Sequence, residues 1–299
     1  MDGLPCYTTA DWQLPDWLEQ HQLPDARFAQ AYSALADDRR ALIKGLIARL
    51  YALAQPLAAT MCMVERRYEL FAQQTSRQPV PFVLLLLDHD LEAPALFLAA
   101  LMPALCARAE QVLVCHMGKK SDVSDALLTA CELAGQERVA ALGPMLLQRL
   151  LTEAAASGEP GVVLHPQTTA FRKLVSQPAL REALDVSPLR LVGLRPPRAC
   201  GIWRDEAGQF PPSDVSLLYG PLGFASCGVA PASGTAASEQ GDWQAFSSVK
   251  RELVLVPSAR GGALGARVSV AENCLGQWCW PELTPELFIR QRQVFTAIL

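Results

Sequence analysis

The chain has 299 residues, of which 51% are hydrophobic and 19% charged, and its formal net charge is −4 at pH 7. So much apolar material excludes a disordered protein, and a mildly acidic chain without a block of Lys or Arg excludes a nucleic-acid-binding or membrane-surface protein. Nine cysteines, an odd number, and a beginning (MDGLPCYTTADW) without the basic and apolar segments of a secretory leader predict free thiols in the cytoplasm.

Residues 1–78 are predicted to form an N-terminal arm with helices that pack on the main domain. Residues 1–36 contain several prolines and two tryptophans, which is typical of an irregular arm with short helices. From Asp37 to Thr75 apolar residues recur at three- and four-residue spacing, which predicts a helical face. Pro56 divides this stretch into two helices, because proline breaks a helix interior.

Residues 79–200 alternate between short apolar runs and amphipathic segments. The predicted strands are 81–87, 111–116, 138–142, 161–164 and 189–194. The predicted helices are 93–109, 121–135, 144–157 and 168–184. Helix 121–135 starts at Ser121 and ends at Gly135, helix 144–157 begins at a proline, and helix 168–184 is broken at Pro178. Strands that are apolar throughout are buried on both faces, and helices between them make crossovers. The pattern favours an α/β fold with a doubly wound, largely parallel sheet, which is Rossmann-like.

Residues 201–299 have a different texture and are predicted to form a shortened, largely irregular second lobe. Prolines crowd its beginning, and the small polar residues of 232–241 indicate a linker. Residues 252–257 are a further predicted strand, and residues 285–299 are predicted to form a C-terminal helix.

Three histidines follow predicted strands. His89 comes after the strand 81–87, and His116 and His165 end two others. The carboxyl ends of parallel strands line the ligand crevice of such a sheet, so these side chains are candidate ligand contacts. The alternative, that each imidazole only hydrogen-bonds a loop carbonyl, stays open. The sequence lacks the glycine-rich phosphate loops and the nucleophile elbow, and its Cys and His spacing predicts no metal site.

Four segments of the chain follow one another in the order and spacing of the corresponding segments in a known protein family. The turn Asp88–Pro94 follows the first strand of the alternation, and Pro103–Leu105 follows in the next helix. Residues 164–168 end a later strand, and residues 194–198 end the last one. In this order and spacing the chain resembles the cofactor-binding half of the aldehyde dehydrogenase superfamily, which includes histidinol dehydrogenase and the acyl-CoA reductases.

The resemblance implies NAD or NADP as a cofactor. It also implies roles for residues at the matching positions. Together with the strand-end histidines, the cofactor-binding candidates are His89, His116, Lys119, His165, Gln167 and Thr168. Cys227 lies where the family's nucleophile is expected. Cys279 lies in a literal match to the family's Gly-Gln-x-Cys motif, but it comes too late in the chain for that role. For both cysteines the alternative stays open that they are small, buried apolar residues.

Several matching positions hold residues unsuited to the family's chemistry. Glu92 replaces the asparagine that stabilises the oxyanion, and an ionised carboxylate donates no hydrogen bond. Arg195 replaces the general base and cannot accept a proton, and Pro196 and Pro197 replace paired glycines. These departures predict a degenerate, shortened pseudoenzyme that binds a nucleotide or a protein partner.

Two other functions stay open. One is an active NAD(P)-dependent aldehyde dehydrogenase or acyl-CoA reductase, an oxidoreductase with Cys227 as its nucleophile. The other is a purely structural α/β protein, because a fold alone does not fix a function. Whether the chain forms a homo-oligomer also stays open.

Overall fold

Two helices and a β-hairpin precede the main sheet. The computed structural model describes residues 12–54, 62–204, 209–228, 243–263 and 265–297. Within them, a short 3-10 helix leads to α1 (Asp25–Ala34) and α2 (Asp37–Ala54), which are followed by strands β1 (Cys62–Arg67) and β2 (Phe71–Pro79). The helix predicted after Pro56 is wrong, since β1 and β2 pair as an antiparallel hairpin. The hairpin is largely exposed or half-buried, so its sequence lacks the clear apolar alternation that marks a strand.

The main sheet is built by the predicted strand–helix alternation. The elements are β3 (Phe82–Leu87), α3 (Pro94–Cys106), β4 (Gln111–His116), α4 (Asp125–Ala134), β5 (Val139–Ala141), α5 (Pro144–Ala156), β6 (Gly161–Pro166), α6 (Thr169–Val175), α7 (Pro178–Val186) and β7 (Arg190–Leu194). The five strands are parallel, in the order β5-β4-β3-β6-β7. The predicted fold class, a doubly wound and largely parallel sheet with flanking helices, is confirmed.

Helix ends follow from local sequence. Helix α4 begins at Asp125 and not at the predicted Ser121, because the Ser124 hydroxyl accepts the Leu127 N–H and caps the helix. Residues Lys120–Asp122 form a separate 3-10 turn instead. Gly135 ends α4 as predicted, in a left-handed conformation with φ of 71°.

A second parallel sheet follows Leu194, where the sequence predicts little regular structure. Its region contains β8 (Cys200–Arg204), α8 (Pro212–Tyr219), β9 (Phe224–Gly228), α9 (Trp243–Ser248), β10 (Leu253–Leu255) and β11 (Val268–Val270). The strand order is β11-β10-β8-β9, all parallel. Only β10 is predicted, because the other strands are three to five residues long and lie among Pro- and Gly-rich segments. The linker predicted at 232–241 lies outside the described residues.

The C-terminal helix predicted over 285–299 is wrong. A short 3-10 turn, Pro285–Phe288, leads into β12 (Ile289–Ala297), which pairs antiparallel with β2. The third sheet thus has the order β1-β2-β12. Its last strand carries mostly exposed or half-buried polar side chains, so neither strand nor helix periodicity distinguishes it clearly.

Apolar side chains cover both faces of the main sheet. On β3, Val83, Leu85 and Leu87 belong to a large cluster that also includes residues of α2, α3 and the second parallel sheet. Phe82 and its neighbours on the opposite face belong to a cluster with Trp12 and α5. This burial on both faces explains why β3 is apolar throughout. No helix of the described residues is long and apolar enough to cross a membrane.

Candidate functional site

A cleft of about 330 Å³ opens at the carboxyl ends of β3, β6 and β7. The chain passes from β3 to β4 and β5 on one side and then returns to β6 and β7 on the other side. The strand order therefore reverses between β3 and β6, which is the place where doubly wound sheets bind ligands. The lining residues are Asp88, Asp90, Pro166, Gln167, Thr168, Arg195, Pro196, Pro197, Arg198, Pro221, Leu222 and Gly223.

One wall of the cleft is acidic. Asp88 and Asp90 belong to the turn that follows β3, and the Asp90 N–H donates to Asp88 Oδ1 at 3.2 Å. Partial burial and the neighbouring Asp90 carboxylate raise the pKa of Asp88 above its ordinary value. Two adjacent carboxylates of this kind can accept hydrogen bonds from hydroxyl groups of a ligand.

The opposite wall is basic and comes from the loop after β7. Arg195 Nη2 lies 2.5 Å from Glu252 Oε1, and the backbone N–H of Arg198 donates to Glu252 Oε2 at 2.6 Å. The Arg198 guanidinium makes no ion pair or hydrogen bond with the described part of the chain, and its residue is exposed. Charge of both signs thus faces one cleft.

Two predicted cofactor-binding residues, Gln167 and Thr168, line the cleft between the two walls, where β6 leads into α6. The Gln167 side-chain amide donates to the Gly193 carbonyl at 2.9 Å, which ties the end of β6 to β7. The Thr168 hydroxyl accepts the Phe171 N–H at 3.3 Å and caps α6. The structure brings these two residues together with the acidic and basic walls.

His116 forms a buried pair with Glu92 and lies outside the cleft lining. His116 Nε2 is 2.5 Å from Glu92 Oε1, and both side chains are at most 10% exposed. The ring packs closely on Gly118, where an added Cβ would lie 2.8 Å from His116 Cε1. His116 Nδ1 is buried and has no hydrogen-bond partner among the described residues. The pair links the turn after β3 to the end of β4.

The other predicted cofactor contacts also lie outside the lining. His89 is exposed in the turn between the two aspartates, and Lys119 is exposed beside Asp122. His165 is half-buried and stacks on Phe171, with 4.0 Å between ring centroids, and its Nδ1 lies 3.1 Å from the Pro166 carbonyl. Burial lowers the pKa of His165, which favours the neutral imidazole.

Cys227 lies on β9 and packs against the apolar cluster of Trp203, Phe246, Val254 and Val256. The cleft residues that the structure describes include neither Cys227 nor any other cysteine or histidine. Cys279 is exposed and lies at a separate apolar groove beside α2 and α3. Among the described residues, no group of three His, Cys, Asp or Glu side chains is arranged to hold a metal ion.

Some lining residues are not among the site residues predicted from the sequence. Arg198 follows β7, and side chains at the carboxyl ends of parallel strands line the ligand crevice, so the reasoning that identifies the histidines would also identify Arg198. The turn Pro221–Gly223 connects α8 to β9, and neither its residue types nor its place before a strand predicts a contact with the cleft.

No family model matches the sequence, and no curated protein matches it either. Among solved structures, a histidinol dehydrogenase from Elizabethkingia anophelis is similar over 95% of this chain and 80% of its own, with 10% identity and a TM-score of 0.41. A NAD-dependent benzaldehyde dehydrogenase from Corynebacterium glutamicum is similar over 62% and 49%, with 13% identity and a TM-score of 0.34.

An NADP dependent enzyme of E. coli is similar over 70% of this chain and 46% of its own, with 14% identity and a TM-score of 0.37. The chain therefore spans about half of the length of these last two proteins. These solved structures include dehydrogenases of the kind that the sequence resembles.

Proposed function

We propose that this protein is a cytoplasmic, aldehyde-dehydrogenase-like pseudoenzyme that binds a nucleotide in the cleft. The observation that carries the proposal is the position of the cleft, at the point where the strand order of the main sheet reverses. Every cysteine whose side chain is described is a free thiol, which is consistent with a reducing compartment.

The charges of the cleft favour a nucleotide over an apolar ligand. Carboxylates such as Asp88 and Asp90 accept hydrogen bonds from ribose hydroxyls, and guanidinium groups such as Arg198 bind phosphate. A volume of 330 Å³ is near the lower end of the range of small-molecule sites, about 300–1,000 Å³. This size suits a mononucleotide, or one half of NAD or NADP.

The surroundings of Cys227 support a role without classical catalysis. A nucleophilic thiol needs an adjacent base or another group that stabilises the thiolate. No hydrogen bond joins Cys227 to a His, Asp or Glu side chain in the described ranges, and its neighbours are aromatic and aliphatic. Arg195, at the general-base position, is paired with Glu252.

Thermal unfolding with added nucleotide tests the proposal. A ligand that binds only the native state at 100 times its Kd stabilises it by about 2.7 kcal/mol, so AMP, NAD or NADP at millimolar concentration should raise the Tm clearly. Arg198→Gln should reduce this shift, because it removes the phosphate-binding charge. Arg39→Gln, at an exposed site on α2, is the matched control and should leave the shift unchanged.

Two results would overturn the proposal. One is that no nucleotide raises the Tm at millimolar concentration. The other is steady reduction of NAD or NADP in the presence of aldehydes, followed by absorbance at the nicotinamide band. Turnover that is lost in Cys227→Ser would establish the active oxidoreductase in place of the pseudoenzyme.

A further inference from the structure

Glu252 occupies two hydrogen-bond donors of the loop after β7. Its backbone N–H donates to the Ala199 carbonyl at 2.8 Å, which places the residue beside that loop just before β10. One carboxylate oxygen lies 2.5 Å from Arg195 Nη2, and the other accepts the Arg198 backbone N–H at 2.6 Å. A guanidinium and a main-chain amide thus converge on one anion.

This donor set suits phosphate as well as carboxylate. Arginine binds the oxygens of both groups, and backbone N–H groups in loops form anion-binding concavities. Arg195 and Arg198 line the cleft, whereas Glu252 is not among the lining residues. A phosphate in the cleft and the Glu252 carboxylate therefore compete for the same donors.

Exchange of the two anions is energetically accessible. The Arg195 side chain is 43% exposed and the Glu252 side chain 25% exposed. A pair that is partly open to solvent contributes less to stability than a buried one, because water solvates the exposed guanidinium when the pair opens. A phosphate that recruits Arg195 replaces one anionic partner of the guanidinium by another, which offsets the opening of the internal pair.

We infer that Arg195 and the Arg198 backbone amide form an anion subsite of the cleft, for a phosphate monoester or diphosphate, and that Glu252 is the internal anion which the ligand displaces. This inference rests on the proposed nucleotide site and adds the position of its phosphate. Glu252 weakens phosphate binding in two ways, since it occupies the donors and repels a second anion. Its removal should therefore increase affinity, which is the opposite of the effect expected for a ligand-binding side chain.

Calorimetric titration with inorganic phosphate, pyrophosphate, AMP and adenosine, at one low salt concentration, tests the inference on the full chain. Glu252→Gln should tighten phosphate and AMP binding about tenfold, since one like charge beside the bound anion is removed. Glutamine keeps an oxygen that can accept the Arg198 N–H in the free protein, so the loop is not left with an unpaired donor. This neutral oxygen is a weaker acceptor than a carboxylate, so phosphate displaces it more readily. Adenosine, which has no phosphate, should bind equally to both proteins.

Two further variants complete the design. Arg195→Gln should abolish the gain when it is combined with Glu252→Gln, because the guanidinium that the loss of the Glu252 charge releases is then absent, although Arg198 still contributes its own charge. Glu282→Gln, which removes an exposed carboxylate elsewhere in the chain, is the matched control for net charge and should change the phosphate affinity less than twofold. Thermal unfolding of each variant verifies that it is folded.

The possible results distinguish failure of the anion subsite from failure of the nucleotide site. If AMP binds the unaltered protein and Glu252→Gln leaves its affinity unchanged or weaker, the displaced-anion inference is overturned and the nucleotide site stands. If AMP, NAD and NADP bind neither the unaltered protein nor Glu252→Gln, the proposed function itself fails. Phosphate binding that tightens equally in Glu282→Gln would also overturn the inference, because it would reflect net charge alone.

Discussion

The ionised carboxylate of Asp88, which lines the ligand cleft, lowers the free energy of unfolding at neutral pH. Partial burial and the Asp90 carboxylate both disfavour its ionised form, so its pKa in the folded protein lies above the ordinary value of 3.8. A group with a raised folded pKa binds its proton more tightly in the native state. Its favourable contribution to stability is complete below the unfolded pKa and is lost as the pH rises through the folded pKa.

Asp88→Asn should therefore stabilise the protein at neutral pH and have little effect near pH 3, where the carboxyl is protonated in both states. The expected gain at pH 7 is about 0.5 kcal/mol, because the site is partly exposed. Urea unfolding at several pH values measures it. Asp16→Asn, at an exposed site in the first 3-10 turn, serves as the control. A variant whose advantage is largest at acid pH would contradict the assigned cause.

The sequence predicts which strand ends lie near the cleft, but not which side chains at those ends point into it. The sequence indicates that residues at the end of β6 face a ligand, and Gln167 and Thr168 do line the cleft. His165 and Pro166 are neighbours on β6, yet only Pro166 lines it, because successive side chains on a strand point to opposite faces. Strand periodicity gives this alternation, but the face that carries the cleft is set by β7 and α8, which are distant in sequence.

At the scale of elements, burial decides how far sequence predicts structure. Strand β4 has the predicted bounds, Gln111–His116, because it is buried along its length and its apolar run ends where the strand ends. Strands β2 and β12 are more exposed and read as helix in the sequence. Their pairing with each other is a long-range contact, which local periodicity does not record.

The pairing of β3 with β6 depends on the lack of a side chain at Gly161. This residue is opposite Phe82, and an added Cβ would lie 2.3 Å from two atoms of the Phe82 ring. Phe82 is fully buried against Trp12, so the ring has no space to move. Gly161→Ala should destabilise the protein by about 1–3 kcal/mol in urea unfolding, through overpacking.

Two variants control this experiment. Gly265→Ala adds the same methyl group where no atom lies within 4 Å, and it should change the free energy of unfolding by less than about 0.5 kcal/mol. Phe82→Leu combined with Gly161→Ala should cost less than the sum of the two single changes, because a smaller side chain makes room for the methyl group. Strict additivity would show that the two residues do not compete for space.

At the scale of the whole molecule, one apolar core joins the two parallel sheets. The largest cluster includes Leu85 of β3, Leu253 of β10 and Trp280, whose indole N–H donates to the Leu96 carbonyl of α3 at 3.0 Å. The sequence predicts the first sheet and a separate irregular lobe, and it does not reveal that the two share their interior. Such sharing depends on short strands that acquire order only through contacts with the rest of the chain.

A shared core predicts a single cooperative unfolding transition. Tryptophan fluorescence samples all three apolar clusters, through Trp12, Trp17, Trp203, Trp243, Trp278 and Trp280. Its denaturation curve should coincide with that of circular dichroism, in midpoint and in slope. Two separate transitions, with fluorescence and ellipticity changing at different urea concentrations, would contradict this expectation.

The sheet β1-β2-β12 has a consequence for synthesis of the chain on the ribosome. Thr75 of β2 pairs with Val64 on one side and with Gln293 on the other. At about 5–20 residues per second, the roughly 200 residues between β2 and β12 take on the order of 10–40 seconds to translate, and during that time one edge of β2 has no partner. An unpaired edge invites association with other nascent chains, but β2 contains mainly polar side chains (FAQQTSRQP). The polar side chains that make β2 hard to recognise as a strand in the sequence thus also disfavour association of its edge until β12 is synthesised.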